Sequence, residues 1–196
     1  MRYEDTADRL ADYRRQIDAL REQMRALQAA REPQAVEDYV LAGAAGPVRL
    51  SALFGAKRDL IAIHNMGKGC IYCTLWADGY NGIYPHLADR AAFVVTSPDA
   101  PELQRAFAAE RGWRFPMASH AGTSFAADMG YRGPNGGWLP GVSVFRRDGA
   151  RVLRVADAAE HPGDDFCALW HLFAMLPGGA GDWQPRYAYP TAATGA

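Results

Sequence analysis

The sequence has no excess of either charge, since 21 Lys and Arg stand against 22 Asp and Glu in 196 residues. A formal net charge of −1 leaves no basic stripe for a phosphate backbone, and nucleic acid is therefore not an expected partner. Long hydrophobic runs are missing too: none approaches the roughly 18 residues of a membrane-spanning helix, so no membrane partner is expected. The first residues, Met1-Arg2-Tyr3-Glu4-Asp5, lead straight into a charged segment and do not read as a secretory signal, which makes the cytoplasm the default compartment. Cysteine is scarce, at three residues. In a reducing compartment three cysteines do not make a disulfide framework, and a close pair points instead to catalysis or metal binding. Internal repeats are lacking as well, and the 49% hydrophobic, 22% charged composition is that of an ordinary globular chain with one domain and appendages.

Read in order, residues 4–30 place Leu10, Tyr13, Ile17, Leu20, Met24 and Leu27 on one helical stripe, with Asp5/Arg9 and Asp18/Arg21 as charge pairs and Pro33 closing the segment. At about two and a half heptads the stripe is short for a coiled coil. It is expected to pack on its own domain, and a homodimer seam is the sharper alternative. Residues 38–41 and 48–50 then read as a hairpin, and 60–64 and 92–96 as core strands buried on both faces. Between the core strands, residues 71–90 look helical but carry Gly79, Gly82 and Pro85, which predicts a kinked or broken helix. A helix over 102–111, opened by Pro101, completes a strand–helix–strand–helix run and hence a parallel crossover unit. Residues 113–140 read as a long loop around one short helix at 124–129; 142–145 and 152–155 form a hairpin about Asp148-Gly149; a last helix spans 164–175. The division expected is residues 1–34 as the amphipathic helix, 35–180 as the α/β domain and 181–196 as a flexible tail that Trp183, Tyr187 and Tyr189 pin in part.

One constellation carries chemistry: Gly69-Cys70-Ile71-Tyr72-Cys73, directly after a predicted core strand and opening a predicted helix. There, free backbone N–H groups and the helix dipole favour an anion, so Cys70 is the expected nucleophile, with Lys68 adding positive charge nearby. Cys73, further inside the helix, is placed to resolve a mixed disulfide. Zinc would need further ligands, and no second such pair exists. Metal binding by Cys70, Cys73 and a histidine such as His64 remains an alternative of another class, as does an interaction domain without chemistry. Thr74 after Cys73 excludes c-type haem attachment, and no motif implies an organic cofactor. Cys167 has the pattern of a buried small hydrophobe within the last helix.

Leu53-Phe54-Gly55, Gly69-Cys70 with Cys73, Trp76-Ala77-Asp78-Gly79, Gly112-Trp113-Arg114-Phe115-Pro116 and Leu139-Pro140-Gly141-Val142-Ser143-Val144-Phe145, in this order, resemble a bacterial family of unknown function described as predicted dithiol-disulfide oxidoreductases. The resemblance spans roughly residues 5–178. It implies a thioredoxin-like α/β fold, a mixed β-sheet flanked by helices, here with an added N-terminal helix and N-terminal β-hairpin. It also implies thiol-disulfide exchange on a protein or small-molecule disulfide or dithiol. By the same resemblance Pro140 is a cis-proline facing the cysteines, and Leu139, Pro140 and Tyr72 contact substrate.

The departures matter. Gly69 stands where thioredoxin has Trp, and Ile71-Tyr72 replace Gly-Pro, so thioredoxin's redox poise does not transfer. The Thr that peroxiredoxins carry three residues before the nucleophile is Gly67 here, which disfavours peroxidase activity. His64 reads more readily as a satisfied structural histidine than as a proton shuttle, and His120 is the loop histidine nearest in expectation to the cysteines. Trp76 reads as core, Asp78 as too far along the helix to be a base for Cys70, and Arg146, Arg147, Arg151 and Arg154 as solvated hairpin faces.

Overall fold

A computed structural model describes residues 3–190, apart from the side chains of residues 4 and 5. The chain divides into two units between Gln34 and Ala35. The first is one 28-residue helix, α1 (Tyr3–Ala30). Arg21 pairs with Asp18 at 3.7 Å on its surface, while the expected Asp5/Arg9 pair lies outside the described side chains. Nothing within this unit covers the apolar stripe, whose six residues are all exposed.

After α1 the elements run β1 (Gln34–Val36), which begins on the last residue of the first unit, and then, within the second, β2 (Val40–Gly43), β3 (Gly46–Arg49), β4 (Asp59–His64), α2 (Ile71–Arg90), β5 (Ala92–Ser97), α3 (Pro101–Arg111), β6 (Met117–Ser119), α4 (Phe125–Asp128), β7 (Gly141–Asp148), β8 (Arg151–Ala159) and α5 (Ala168–Phe173). They build one eight-stranded sheet in the order β1-β8-β7-β4-β5-β6-β2-β3. β4, β5 and β6 are parallel neighbours, and β7 and β8 add antiparallel on one side while β2 and β3 add on the other. Successive side chains of a strand face opposite ways. Leu60 and Ala62 with Val94 therefore enter one core with Leu50, Phe54, Phe125 and Phe145, whereas Ile63 with Phe93 and Val95 enters the other with Trp76, Tyr80, Phe107 and Trp113. Burial on both faces explains why β4 and β5 are continuous apolar runs.

Several expectations are corrected. α2 covers residues 71–90 as expected but is continuous rather than broken, running through Gly79, Gly82 and Pro85. Its buried face, Cys73, Trp76, Ala77 and Tyr80, holds it against weak local propensity. The Asn81 carbonyl, which Pro85 leaves without a helical partner, accepts a hydrogen bond from the Arg114 guanidinium at 3.2 Å. The presumed 113–140 loop contains β6, too short to announce itself by periodicity. The last helix is only six residues long, because the Asp164 carboxylate accepts bonds from the backbone N–H groups of His161 and Phe166, both at 2.9 Å, and folds 161–166 into a turn. Cys167 is thus the residue before α5 rather than within a helix, although it is buried as expected. Arg147 and Arg154 are not solvated: Arg147 bonds the Ser51 carbonyl at 2.8 Å and lies over the Phe54 ring, and Arg154 pairs with Asp157 at 3.3 Å with its side chain only 15% exposed. Finally, no peptide bond among the described residues is cis, so Leu139-Pro140 is trans, the isomer a tertiary amide favours by about 0.5–1 kcal/mol.

Candidate active site

The cysteines sit where β4 hands over to α2. After His64 the chain turns on Asn65, whose side-chain oxygen accepts from the Gly67 N–H at 2.8 Å and whose amide donates to the Cys73 carbonyl at 3.4 Å. Gly67 has φ of +100°, and a Cβ there would lie 2.9 Å from an Asp99 carboxylate oxygen. That carboxylate accepts from the Lys68 N–H at 2.6 Å, so Asp99, just beyond β5, fixes the turn into α2. The Cys70 N–H then donates to the Gly67 carbonyl at 3.0 Å.

Cys70 is the N-cap of α2, half-buried, and its Sγ accepts from the Cys73 N–H at 3.1 Å. A sulfur in this place does the work of a capping oxygen and is best at it when ionised. The Cys70 thiol is drawn down from 9.0 to about 7, first by the hydrogen bond it receives from the Cys73 thiol, against the cost of burial, and then by the backbone N–H groups of Cys73 and Tyr72. Cys73, buried, is pushed far the other way by giving that hydrogen bond, by burial and by the neighbouring Cys70 charge. The pair is thus split into a ready thiolate and a retained thiol.

Beneath them lies an acidic cluster that the sequence analysis missed. Glu160, just past β8, is only 5% exposed and accepts a hydrogen bond from the Tyr80 hydroxyl. Tyr80 is two turns beyond Cys73 on the same face of α2. Burial first, then the nearby Asp164 and Cys70 charges, push the Glu160 carboxyl up to about 7 despite the Tyr80 bond. Asp164, also buried, accepts from the Trp76 indole N–H at 3.3 Å. A glutamate just past a strand of mixed apolar and charged residues carries no local signal. Only the return of β8 beside α2 brings it to the cysteines.

The other expected residues are placed as follows. Tyr72, between the cysteines, is partly buried with its ring 6.3 Å from Trp170. The Leu139 side chain is exposed, its N–H donates to the Tyr131 carbonyl at 3.0 Å, and the Pro140 carbonyl accepts from the Glu160 N–H at 3.3 Å. Trp76 is core, as expected. Asp78 takes no part at Cys70; it receives hydrogen bonds from the Arg111 guanidinium and from the Trp113 indole at 2.8 Å, tying α2 to the end of α3. His64 is buried, bonded through Nε2 to the Ser143 hydroxyl at 3.0 Å and stacked 3.9 Å from the Tyr131 ring. Burial, followed by His120 and Arg154, holds it well below 6.5, hence neutral. His120 is likewise buried and packs on Trp138. Among the described residues, no group of three or more His, Cys, Asp or Glu side chains is arranged to hold a metal ion, and no helix is long and apolar enough to cross a membrane.

No curated protein matches the chain. Among solved structures, peroxidoxin BcpB from Mycobacterium tuberculosis is 26% identical, with 69% of this chain and 88% of that one covered at a TM-score of 0.56. Peroxiredoxin Q from Xanthomonas campestris is 18% identical over 63% of this chain and 81% of its own, at 0.54. The mitochondrial 2-cys peroxiredoxin from Plasmodium falciparum is 11% identical over 65% and 82%, at 0.52. These likenesses establish the thioredoxin-like fold that the motif order implied. Residues 8–191 match the family described as "Bacterial protein of unknown function (DUF899)", and the chain belongs to that family.

Proposed function

We propose that the protein is a thiol-disulfide oxidoreductase with Cys70 as nucleophile and Cys73 as resolving thiol. The observation that carries this reading is the opposed state of two thiols three residues apart, with Cys70 Sγ 3.1 Å from the Cys73 N–H at the α2 N-terminus. The Cys70 thiolate attacks one sulfur of a substrate disulfide, a new S–S bond forms, and the other substrate sulfur leaves as a thiolate that takes up a proton. Cys73 then gives up its proton, attacks Cys70 Sγ and expels the second substrate thiolate. The substrate gains two electrons, and the chain is left with a Cys70–Cys73 disulfide for another dithiol to reduce. Tyr72 and the exposed Leu139 side chain beside Pro140 offer apolar contacts to the bound substrate. The reaction suits a reducing compartment, and any pairing of two copies would run through the α1 stripe.

A second reading, thiol peroxidase, draws on the likeness to the Mycobacterium tuberculosis peroxidoxin. There the Cys70 thiolate would attack a peroxide, and Cys73 would condense with the sulfenic acid, releasing water. Gly67 weighs against it: threonine at φ +100° beside Asp99 would be strained and crowded. The deciding experiment equilibrates the protein in graded glutathione buffers, quenches by alkylation and reads the disulfide fraction by mass spectrometry. A reversible Cys70–Cys73 transition between about −120 and −270 mV is expected, the span of redox-active dithiol proteins. If no such disulfide forms in any buffer, the reading fails. Rapid peroxide consumption by the reduced protein would favour the second reading, and a stoichiometric metal in elemental analysis would favour a metal site.

A further inference from the structure

Beyond residue 180 the structure describes the chain through residue 190, where Trp183 and Tyr187 contact the elements around the site. Tyr187 anchors it. Its hydroxyl donates to the Lys68 carbonyl at 2.8 Å, two residues before Cys70, in the turn that positions the nucleophile. Its own carbonyl accepts from Arg111, which Asp78 holds in place, and its ring meets Phe107 edge-on at 6.3 Å. The Lys68 ammonium lies over the same Phe107 ring, 5.1 Å from its centre. Four residues earlier Trp183 packs on Phe173 at 5.0 Å and on Trp170 at 6.1 Å, and Trp170 in turn faces Tyr72 between the cysteines. Burial, and after it the charge at Cys70, hold the proton of the phenol more tightly.

Resting on the thiol-disulfide reading, we propose that Tyr187 is a specificity-determining residue of the Cys70 site, walling one side of it so that low-molecular-weight disulfides enter and disulfides carried on polypeptides are turned away. The opposite side of the site supports the same substrate class. A polypeptide substrate would pair its backbone with an open strand edge, as in β-strand addition. Here the Leu139 N–H and the Pro140 carbonyl are already bonded to Tyr131 and Glu160, and Gly141 is paired with both His64 and Ala159. No backbone donor at these two residues is left for an incoming strand, since proline has none.

The test uses the full chain and two probes that need only a reactive Cys70 thiol, iodoacetamide and a bulky fluorescein maleimide. Tyr187→Ala is expected to raise the rate with the maleimide about tenfold while changing the iodoacetamide rate less than about twofold, since the bulky reagent otherwise waits on an infrequent opening of the segment. Tyr187→Phe, which keeps the ring and loses only the Lys68 anchor, should fall between. In parallel, the wild-type protein should reduce oxidised glutathione faster than insulin, and Tyr187→Ala should narrow that ratio. Unchanged maleimide-to-iodoacetamide ratios in Tyr187→Ala, or insulin reduced by wild type as fast as oxidised glutathione, overturn the proposal. If alkylation responds as expected while neither disulfide is reduced, the wall at Cys70 stands and the thiol-disulfide reading falls.

Discussion

Replacing Cys73 by alanine isolates the interaction that sets the nucleophile. In the native site the leading influence on Cys70 is the hydrogen bond from the Cys73 thiol, ahead of the backbone N–H groups of Cys73 and Tyr72. Cys73→Ala removes the thiol and leaves both N–H groups in place. A hydrogen bond to a charged group contributes about 1.5–3 kcal/mol, which at 1.36 kcal/mol per unit amounts to about one to two pKa units. Cys70 ionises at about 7 in the native chain, so about half of it is thiolate at pH 7. In the variant the thiolate should fall to roughly 1–10% at that pH. The assay is the rate of iodoacetamide alkylation at Cys70, followed by mass spectrometry from pH 5 to 10. The rate should level off just above pH 7 in the native protein and about one to two units higher in Cys73→Ala. Cys73→Ser, whose hydroxyl can still donate, should fall between. An unmoved midpoint in the alanine variant would refute the reasoning and assign the acidity of Cys70 to the helix end alone.

The buried acid makes a stability prediction with a definite sign. Glu160 is raised from 4.5 to about 7 in the folded chain, so the stability it confers is present below pH 4.5 and is lost as pH rises through 7, by about 3 kcal/mol. Urea unfolding at pH 5 and pH 8 should therefore show Glu160→Gln gaining on the native protein as pH rises, and parallel behaviour of the two would count against a protonated Glu160. Gly141→Ala should cost at least about 3 kcal/mol in the same assay or prevent folding, because its Cβ would lie 2.1 Å from a Tyr131 ring carbon and 2.6 Å from the Ala158 carbonyl oxygen. Asp78→Ala strands the Trp113 indole N–H and leaves the Arg111 guanidinium only the Tyr187 carbonyl, and should lower the urea midpoint by an amount equivalent to about 1–3 kcal/mol while leaving the Cys70 alkylation midpoint in place.

What the sequence disclosed was local. The core strands were legible because burial on both faces leaves unbroken apolar runs, and the paired cysteines at the start of α2 were legible because strand, turn, Cys70 and Cys73 are contiguous. α2 was legible as a helix over residues 71–90, and only the expected break was not found. Gly79, Gly82 and Pro85 argue for an interruption when only near neighbours are weighed, and the helix runs through them because Trp76 and Tyr80 are buried and because Arg114, distant in sequence, takes up the carbonyl that Pro85 leaves free. The 164–175 segment failed in the opposite direction, where apolar composition suggested helix and the Asp164 carboxylate made a turn. Glu160, Asp99 and Tyr187 were invisible as site residues for one reason: each lies tens of residues from Cys70 in the chain and reaches its neighbourhood only through the packing of the folded domain.

In the proposed exchange, the arrangement of charge around the cysteines divides the labour between two ends of one helix turn. At the outer end Cys70 faces backbone N–H groups, which favour the anion that attacks. At the inner end the Glu160 charge is among the lesser influences that keep the Cys73 proton in place, and a carboxyl raised to about 7 can carry its proton at neutral pH or release it. When Cys70 is bound in a mixed disulfide its charge is gone, and with it go the hydrogen bond to the anion and the neighbouring charge that hold the Cys73 proton in place. The same loss removes one of the influences that raise Glu160, making the carboxylate easier to form but weaker as a base. In the proposed mechanism resolution is therefore coupled to attack electrostatically: formation of the mixed disulfide would release Cys73 from the interaction that kept it protonated.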